Sequence, residues 1–207
     1  MNMDKSARTN QVLHPVLHHR WSPRAFDSRA IPADILERMF EAARWSPSSS
    51  NEQPWRFIVG FNGDDTHTRI FDHLTEANRL WASSAPVLIA AVTKLNRTKY
   101  PERENTAALY DLGQSLAHLT FQAAADGLFI HQMSGFNTYE LEKALGVPDG
   151  YKLFTVSAVG YKGNPEQLPP KLLIRELSER VRQPLENMVF TGMFGQAAAF
   201  LQEAKAK

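Results

Sequence analysis

Residues 87 to 92 form an uninterrupted apolar run, Val-Leu-Ile-Ala-Ala-Val. A strand with one face in water alternates apolar and polar residues, whereas a run without alternation is typical of a central strand that is covered on both faces. The run is also far shorter than the roughly 20 residues that a membrane-spanning helix needs. It therefore predicts the central strand of a sheet inside a folded core.

Amphipathic helices and shorter β-type runs are predicted around this strand. Apolar residues at helical spacing predict helices at Val12 to His19, Pro32 to Ala43, Ile70 to Trp81 and Thr106 to Asp126, the last with Gly127 as its C-cap. β-Type runs cover Trp55 to Phe61, with Trp55 in the core, Leu128 to Gln132, and Leu153 to Gly160. Residues 93–104 are charged and contain a proline, so we expect them to cross the surface, and residues 162–170 form a proline-rich linker.

The composition bounds the fold and excludes several classes of function. With 207 residues, 43% of them hydrophobic, we expect a single domain over residues 1–207, with a loose tail at residues 1–11. Lys and Arg number 23 against 22 Asp and Glu, which argues against nucleic acid or an anionic membrane as a partner.

The side chains also limit the catalytic chemistry. The absence of cysteine excludes thiol catalysis and zinc–thiolate sites. His14 and His18 could share a helical face, but no further ligand lies nearby, so no metal site is predicted. The N-terminus lacks the apolar run of a signal peptide, and we therefore predict a cytoplasmic protein.

A serine-rich loop lies between Pro47 and Pro54. Each proline disfavours helix at the residue before it, so the intervening segment is expected to be a fixed loop. Three serine hydroxyls and the side-chain amides of Asn51 and Gln53 could hydrogen-bond the edge of a polar heteroaromatic ring. The same composition is also typical of a capped turn between a helix and a strand.

Arginines are concentrated in two short segments that are distant in sequence. Arg20, Ser22 and Arg24 alternate along the first, and Arg180 and Arg182 lie in the second. The planar guanidinium group matches phosphate oxygens, and serine adds a short donor, so the two segments could converge on one phosphate. Solvated surface arginines are the alternative.

Taken together, these motifs resemble the nitroreductase family of FMN-dependent oxidoreductases. The resemblance rests on Arg20-Trp21-Ser22-Pro23-Arg24, on the loop from Pro47 to Trp55, on Gly135-Phe136 and on Arg180-Val181-Arg182-Gln183-Pro184, and it covers Val16 to Gly195. It implies an α+β fold, a three-layer α/β/α sandwich with a central, mostly antiparallel sheet, in an intertwined homodimer with FMN at the subunit interface.

The resemblance also assigns two segments to the dimer. Residues 106–126 would form the central interface helix, where Gly113, Ser115, Ala117 and Ala123 permit close approach; a helix of the protomer's own core is the alternative. Residues 189–207 would form a C-terminal arm that reaches over the partner subunit, with a helix-prone stretch from Ala197 to Lys207.

The residues that would hold the FMN are implied in the same way. The backbone of Ser134 and Gly135 would lie beside flavin N5, although the family often has Glu at the position of Ser134. Glu76 and Arg79 stand where the family has Asn and Lys; Glu76 departs from that pattern, so Asn78 could take its role. The phosphate and ribityl contacts fall on Arg20, Trp21, Ser22, Arg24, Arg180 and Arg182, and the flavin-ring contacts on Pro47, Ser48, Ser49 and Asn51.

The implied activity is hydride transfer from NADH or NADPH through the flavin to an electrophilic acceptor, such as a nitroaromatic, a quinone or an enone, with ping-pong kinetics. No catalytic side chain is implied, because the flavin carries the chemistry. Two alternatives remain open. One is a specialised enzyme of the same fold, for reductive dehalogenation or flavin breakdown, and the other is a flavin-binding redox sensor or carrier without turnover.

Overall fold

An antiparallel sheet of five strands forms the centre of the computed structural model, which describes residues 4–203. The strand order is β1-β5-β3-β2, and β4 also pairs with β5. The strands are β1 (Phe26–Asp27), β2 (Trp55–Phe61), β3 (Val87–Lys94), β4 (Phe129–Met133) and β5 (Tyr151–Lys162). Of β3, all residues from Val87 to Thr93 are buried, which confirms the predicted central strand.

Helices cover both faces of this sheet. The helices of the described residues are α1 (Pro15–His19), α2 (Ala33–Arg44), α3 (Asp65–Asp72), α4 (Glu76–Ala82), α5 (Ala108–Ala125), α6 (Thr138–Ala144), α7 (Pro170–Leu177) and α8 (Phe200–Glu203). Short 3₁₀ turns occur at Ser49–Asn51, Pro165–Gln167 and Leu185–Asn187. Within residues 4–203, no helix is long and apolar enough to cross a bilayer.

The core has two parts, one on each side of the sheet, because successive side chains of a strand point to opposite faces. Val87 and Ile89 of β3 pack with residues of α2 and α5, such as Met39 and Leu119. Leu88 and Ala90 pack on the other side with residues of α3, α4 and α6, among them Ile70, Trp81 and Leu141. The three-layer α/β/α sandwich and the mostly antiparallel sheet are thus confirmed, and Trp55 is buried as expected.

The prediction of a single helix from Ile70 to Trp81 is wrong, because residues 73–75 are not helical and separate α3 from α4. Leu74 forms an isolated β-bridge with Phe136, and the Thr75 amide donates to the Gly135 carbonyl at 3.0 Å. These long-range contacts replace the helical hydrogen bonds that local periodicity predicted. The sequence analysis also missed β1, α6 and α7.

The start of the chain differs from the loose tail that we expected. The Lys5 ammonium group donates to the Ser178 carbonyl, the Ala7 amide donates to His18 at 2.8 Å, and Arg8 forms a bidentate pair with Glu179. Residues 1–3 of that tail, and residues 204–207 of the helix expected from Ala197, lie outside the described residues.

Helix α5 packs one face against the core of the chain. Ser115 and Ala123 are buried there, whereas Gly113 is exposed and a Cβ added to it would meet nothing within 4 Å. The opposite face carries large apolar side chains in contact with solvent, namely Leu109, Tyr110 and Phe121. The helix therefore belongs to the core of the chain and also presents an apolar outer face.

Candidate functional site

Three of the predicted phosphate ligands, Arg20, Arg180 and Arg182, come together although they are distant in sequence. Burial, and after it the charge of Arg182, lowers the pKa of Arg20. Burial, followed by the charges of Arg20 and Arg182, likewise lowers the pKa of Arg180. None of the ion pairs formed within residues 4–203 includes any of these three arginines. The cluster is therefore a concentration of positive charge without a carboxylate partner in that part of the chain.

The three guanidinium groups differ in what they contact. Arg180 donates to the carbonyls of Lys5, at 2.5 Å, and His18, at 3.4 Å, so it ties the N-terminal segment to the end of α1. Among the described residues, Arg182 donates only to the carbonyl of its neighbour Val181. Arg20, the C-cap residue of α1, donates from its backbone amide to the Val16 carbonyl, and its guanidinium makes no hydrogen bond with residues 4–203. Arg20 and Arg182 thus keep most of their donors for a ligand.

Arg24 lies in a different environment, next to Glu176 of α7. Their side chains approach to 4.0 Å, and the buried Glu176 carboxylate also accepts hydrogen bonds from the Arg24 and Ala25 amides. Burial lowers the pKa of Arg24, while the charge of Glu176 raises it. Arg20 is not among the charges that shift it. Of the two arginines of the first segment, only Arg20 joins the cluster.

The backbone between these arginines is held by β4. His131 shares a hydrogen bond of 2.8 Å with the Pro23 carbonyl through Nδ1, and its ring packs on Trp81 at 4.5 Å. Burial lowers the pKa of His131 to about 4, and Arg24 adds to the effect. The imidazole is therefore neutral, and because a carbonyl can only accept, Nδ1 carries the proton. The Trp21 ring packs against Phe129 and Lys5.

The serine-rich loop contains three residues with left-handed backbone. Their φ angles are 53° at Ser50, 56° at Asn51 and 46° at Gln53. Such a conformation costs a non-glycine residue about 1–2 kcal/mol, and it persists only where surrounding contacts enforce it. Here the Gln53 amide donates to Ser48 Oγ at 3.0 Å, and the Ser49 amide donates to Asp111 Oδ2 at 3.1 Å. Strain of this kind is concentrated at binding sites.

Gly135, after β4, is in close contact with the start of α4. Asn78 Nδ2 donates to the Gly135 carbonyl at 2.9 Å, and a Cβ at Gly135 would lie 2.7 Å from Asn78 Nδ2 and 2.9 Å from Thr75 Oγ1. Glu76 and Arg79, on the same helix, are exposed, as is Ser134. Asn78 and not Glu76 is therefore the residue of α4 that lies against Gly135.

The serine-rich loop and the basic segment lie at opposite ends of the sheet. The loop leads into β2, whose Trp55 is opposite Thr93, and Thr93 is opposite Lys152 near the start of β5. The basic segment leads into β1, which pairs with Tyr161 and Lys162 at the end of β5. Within residues 4–203, no hydrogen bond or ion pair joins the loop to Arg20, Arg24, Arg180 or Arg182. The serine-rich loop and the basic segment are therefore two separate groups of the predicted site residues within the chain.

Sequence reasoning missed Asp111, His131 and Glu176. A lone acid on the buried face of an apolar helix is a detectable signal, and Asp111 provides it. Nothing local marks His131 or Glu176, because their partners at residues 23 to 25 are more than a hundred residues away in the chain.

The comparisons with known proteins agree with this fold. A sequence model described as the nitroreductase family matches residues 17–80 and 73–161. An uncharacterized 15.4 kDa protein of Mycolicibacterium smegmatis is 36% identical over 151 residues, which are 68% of this chain and 97% of that protein. An oxygen-insensitive NADPH nitroreductase of Helicobacter acinonychis is 32% identical over 130 residues, 62% of this chain and 61% of that protein. A crystal structure described as an oxidoreductase containing FMN has a TM-score of 0.86 and 31% identity, and covers 95% of this chain and 100% of that one.

Proposed function

The chain belongs to the nitroreductase family, and on that premise we propose that it is an FMN-dependent oxidoreductase. It would take a hydride from NADH or NADPH and pass it, in a separate half-reaction, to an electrophilic small molecule such as a nitroaromatic, a quinone or an enone. The described NADPH nitroreductase and FMN-containing oxidoreductase support this proposal. We expect it to act in the cytoplasm.

The observation that carries the proposal is the cluster of Arg20, Arg180 and Arg182. Arg20 and Arg180 are partly buried, whereas Arg182 is exposed. Partly buried guanidinium groups that repel one another are unfavourable unless an anion neutralises them, and burial together with repulsion within the cluster lowers the pKa of both Arg20 and Arg180. A phosphate monoester carries up to two negative charges and several acceptor oxygens, so it fits the donors of Arg20 and Arg182. The residues present therefore suit the phosphate of FMN.

Other residues suit the remainder of the cofactor. We also assign contacts with the ribityl chain or the phosphate to Trp21, Ser22 and Arg24. The ring contacts are assigned to Pro47, Ser48, Ser49 and Asn51. Arg79 would place a positive charge near the ring edge, with Asn78 or Glu76 beside it, and the Ser134 and Gly135 backbone would face the reacting side. FMN, when bound, would supply hydride acceptance and donation at N5. The protein would bind and orient both substrates without a dedicated acid–base residue.

The separation of the two half-sites supports a homodimer as part of the proposal. Within one chain, the basic cluster and the serine-rich loop lie at opposite ends of the sheet. In a dimer, one flavin could contact the basic cluster of one protomer and the serine-rich loop of its partner. The apolar outer face of α5, with Leu109, Tyr110 and Phe121, would be covered by the partner, and the arm that carries Met193 and Phe194 would extend over it. Light scattering of the purified protein tests this: a monomer that still binds FMN with full affinity would contradict it.

The first experiment is the visible absorption spectrum of the purified protein, recorded without oxygen before and after adding NADH or NADPH. We expect an oxidised flavin spectrum that bleaches with one of the two nicotinamides and recovers when an acceptor is added. A colourless protein that does not take up FMN would contradict the proposal.

The acceptor panel separates the open alternatives. Turnover with nitroaromatics, quinones or enones supports the proposed function. Halide release from an aryl halide, or loss of the flavin itself under oxygen, would favour a specialised enzyme of the same fold. A bound flavin without turnover with any acceptor would favour a redox sensor or carrier.

A further inference from the structure

Asp111 is a buried carboxylate on α5 that forms a hydrogen bond with the serine-rich loop. Its side chain is 1% exposed, and Oδ2 accepts a hydrogen bond of 3.1 Å from the Ser49 amide, 62 residues away in the chain. Charged residues are almost never fully buried without a specific partner. The contact is therefore a specific feature of this fold.

Helix α5 bonds the chain at two points, one at the end of α2 and one within the serine-rich loop. Ser115, one helical turn after Asp111, donates from Oγ to the Ala43 carbonyl at 3.0 Å, near the end of α2. Residues four apart on a helix share a face, so Asp111 and Ser115 form a pair of contacts to successive parts of the chain. Ala43 is anchored by Ser115, and Ser49, six residues on, is anchored by Asp111.

Most other hydrogen bonds of the loop are internal to it. The Asn51 amide donates to Ser48, the Glu52 amide to Ser49 and the Gln53 amide to Ser48 Oγ. Such bonds shape the loop but do not set its position, because both partners would move with it. Glu52 does reach outside, to the Thr98 amide at 2.8 Å, but that amide lies in the exposed surface segment. Arg56 of β2 also donates to the Gln53 carbonyl, at 3.1 Å, but its side chain is exposed. Asp111 is the buried carboxylate that bonds the loop, through Ser49, to α5.

We propose that Asp111 is a positioning residue of the flavin site: its carboxylate holds the Ser49 amide and so fixes the left-handed backbone of residues 50, 51 and 53 in the geometry that receives the flavin ring. This inference rests on the function proposed above. Asp111 itself does not touch the flavin. Its effect passes through the Ser49 amide, which is consequently not available as a donor to the ring.

Two substitutions at Asp111 separate its hydrogen bond from its charge. Asp111→Asn keeps an acceptor oxygen for the Ser49 amide, whereas Asp111→Leu keeps the size and removes the acceptor. We expect the FMN dissociation constant, measured by flavin fluorescence, to change less than threefold in Asp111→Asn and to rise at least tenfold in Asp111→Leu. Ser115→Ala is the matched control, because it removes a buried bond on the same helix face without touching Ser49.

Hydrogen exchange of the flavin-free protein gives a second readout. In Asp111→Leu, the amides of residues 48–53 should exchange at least tenfold faster than in the wild type. In Asp111→Asn and Ser115→Ala they should exchange at the wild-type rate. Because no flavin is present, this readout tests whether the Asp111–Ser49 hydrogen bond holds the loop independently of the cofactor.

A substitution pair at Ser49 keeps the proposal testable if Asp111→Leu does not fold. Ser48 is extended, with φ −147° and ψ 153°, which is the backbone that a residue before proline prefers. Ser49→Pro removes the amide donor, whereas Ser49→Ala keeps it, so we expect Ser49→Pro to bind FMN at least tenfold more weakly than Ser49→Ala. Equal affinities would overturn the proposal.

The possible failures can be told apart. Wild-type protein that binds no FMN would refute the proposed function. FMN binding of wild-type strength in Asp111→Leu, with a thermal stability lowered as in Ser115→Ala, would leave the proposed function intact and show that Asp111 has only a structural role. Equal loss of FMN affinity in Asp111→Leu and Asp111→Asn would also overturn the inference, since the acceptor would then be irrelevant.

Discussion

The buried carboxylate of Glu176 accepts hydrogen bonds from the backbone amide of Arg24, although the two residues are 152 positions apart. The Arg24 nitrogen lies 2.9 Å from Oε1 and 3.0 Å from Oε2. Oε1 also accepts from the Ala25 amide at 3.2 Å. Helix α7 thereby fixes the backbone of the basic segment where it enters β1. Glu176 thus satisfies the amides of the segment and balances the charge of Arg24.

Glu176→Leu should be strongly destabilising. It leaves the Arg24 and Ala25 amides without their acceptor and removes the charge that lies 4.0 Å from the Arg24 guanidinium. Removing one partner of a buried pair costs about 3–5 kcal/mol of unfolding free energy. Urea unfolding of the flavin-free protein measures this. Glu179→Ala is the control, because Glu179 pairs with Arg8 on the exposed surface, where ion pairs contribute little. Equal effects of the two substitutions would contradict the role of Glu176.

Arg20→Ala and Arg182→Ala should each weaken FMN binding. Loss of a charge-assisted hydrogen bond to phosphate costs about 1–3 kcal/mol, or roughly 5- to 150-fold in the dissociation constant, and should reduce its salt dependence. Without flavin, Arg20→Ala should not lower the melting temperature, because it relieves repulsion within the cluster. Arg175→Ala, an exposed arginine of α7, is the control for net charge. Equal weakening in all three variants would contradict a specific phosphate site.

Arg180→Ala should act mainly on stability. Arg180 donates to the Lys5 and His18 carbonyls, so its loss should cost about 1–3 kcal/mol and release the N-terminal segment. Trypsin cleavage after Arg8 in the flavin-free protein should accelerate relative to Arg182→Ala. The same cleavage rate in both variants would indicate that Arg180 does not hold this segment.

His131 predicts a loss of stability in acid. Its pKa is about 4 in the folded protein, below its ordinary value of 6.5, so between these values the unfolded chain binds more protons. The stability is fully present above about pH 6.5 and is lost as the pH falls towards 4, on the order of 2 kcal/mol by pH 4.5. Urea midpoints between pH 7.5 and 4.5 should therefore fall more steeply for the wild type than for His131→Asn. Parallel curves would contradict this assignment.

Gly135→Ala should disturb the contact with α4. The new Cβ would lie 2.7 Å from Asn78 Nδ2, so Asn78 must move and lose its hydrogen bond to the Gly135 carbonyl, at a cost of about 1–3 kcal/mol. In an Asn78→Ala background, Gly135→Ala should lower the unfolding free energy by less, and a double-mutant cycle measures that coupling. Additive effects would contradict the proposed clash.

Much of the fold could be predicted because its signals are local. The apolar run at residues 87–92, the stripe of α2 and the run at Trp55 each reflect burial that recurs at a fixed period, and the structure confirms those elements. The interruption between Ile70 and Trp81 could not be predicted, because the Leu74 bridge to Phe136 and the Thr75 bond to Gly135 override a good helical period. The candidate site residues were reached through motif resemblance and remain predictions.

The sequence alone determined that a fully buried strand lies at the centre of the sheet and which family the chain resembles, because hydrophobic period and motif order are properties of neighbouring residues. The tertiary structure decided which charges meet. It brings Arg20 close to Arg180 and Arg182, and it pairs Arg24 with Glu176. It also places Asp111 within hydrogen-bond distance of the Ser49 amide. The residues that meet in this way are from 62 to 162 positions apart along the chain. Electrostatic and hydrogen-bond energies depend on distance in space, and that distance is set only when the sheet and its helices have packed.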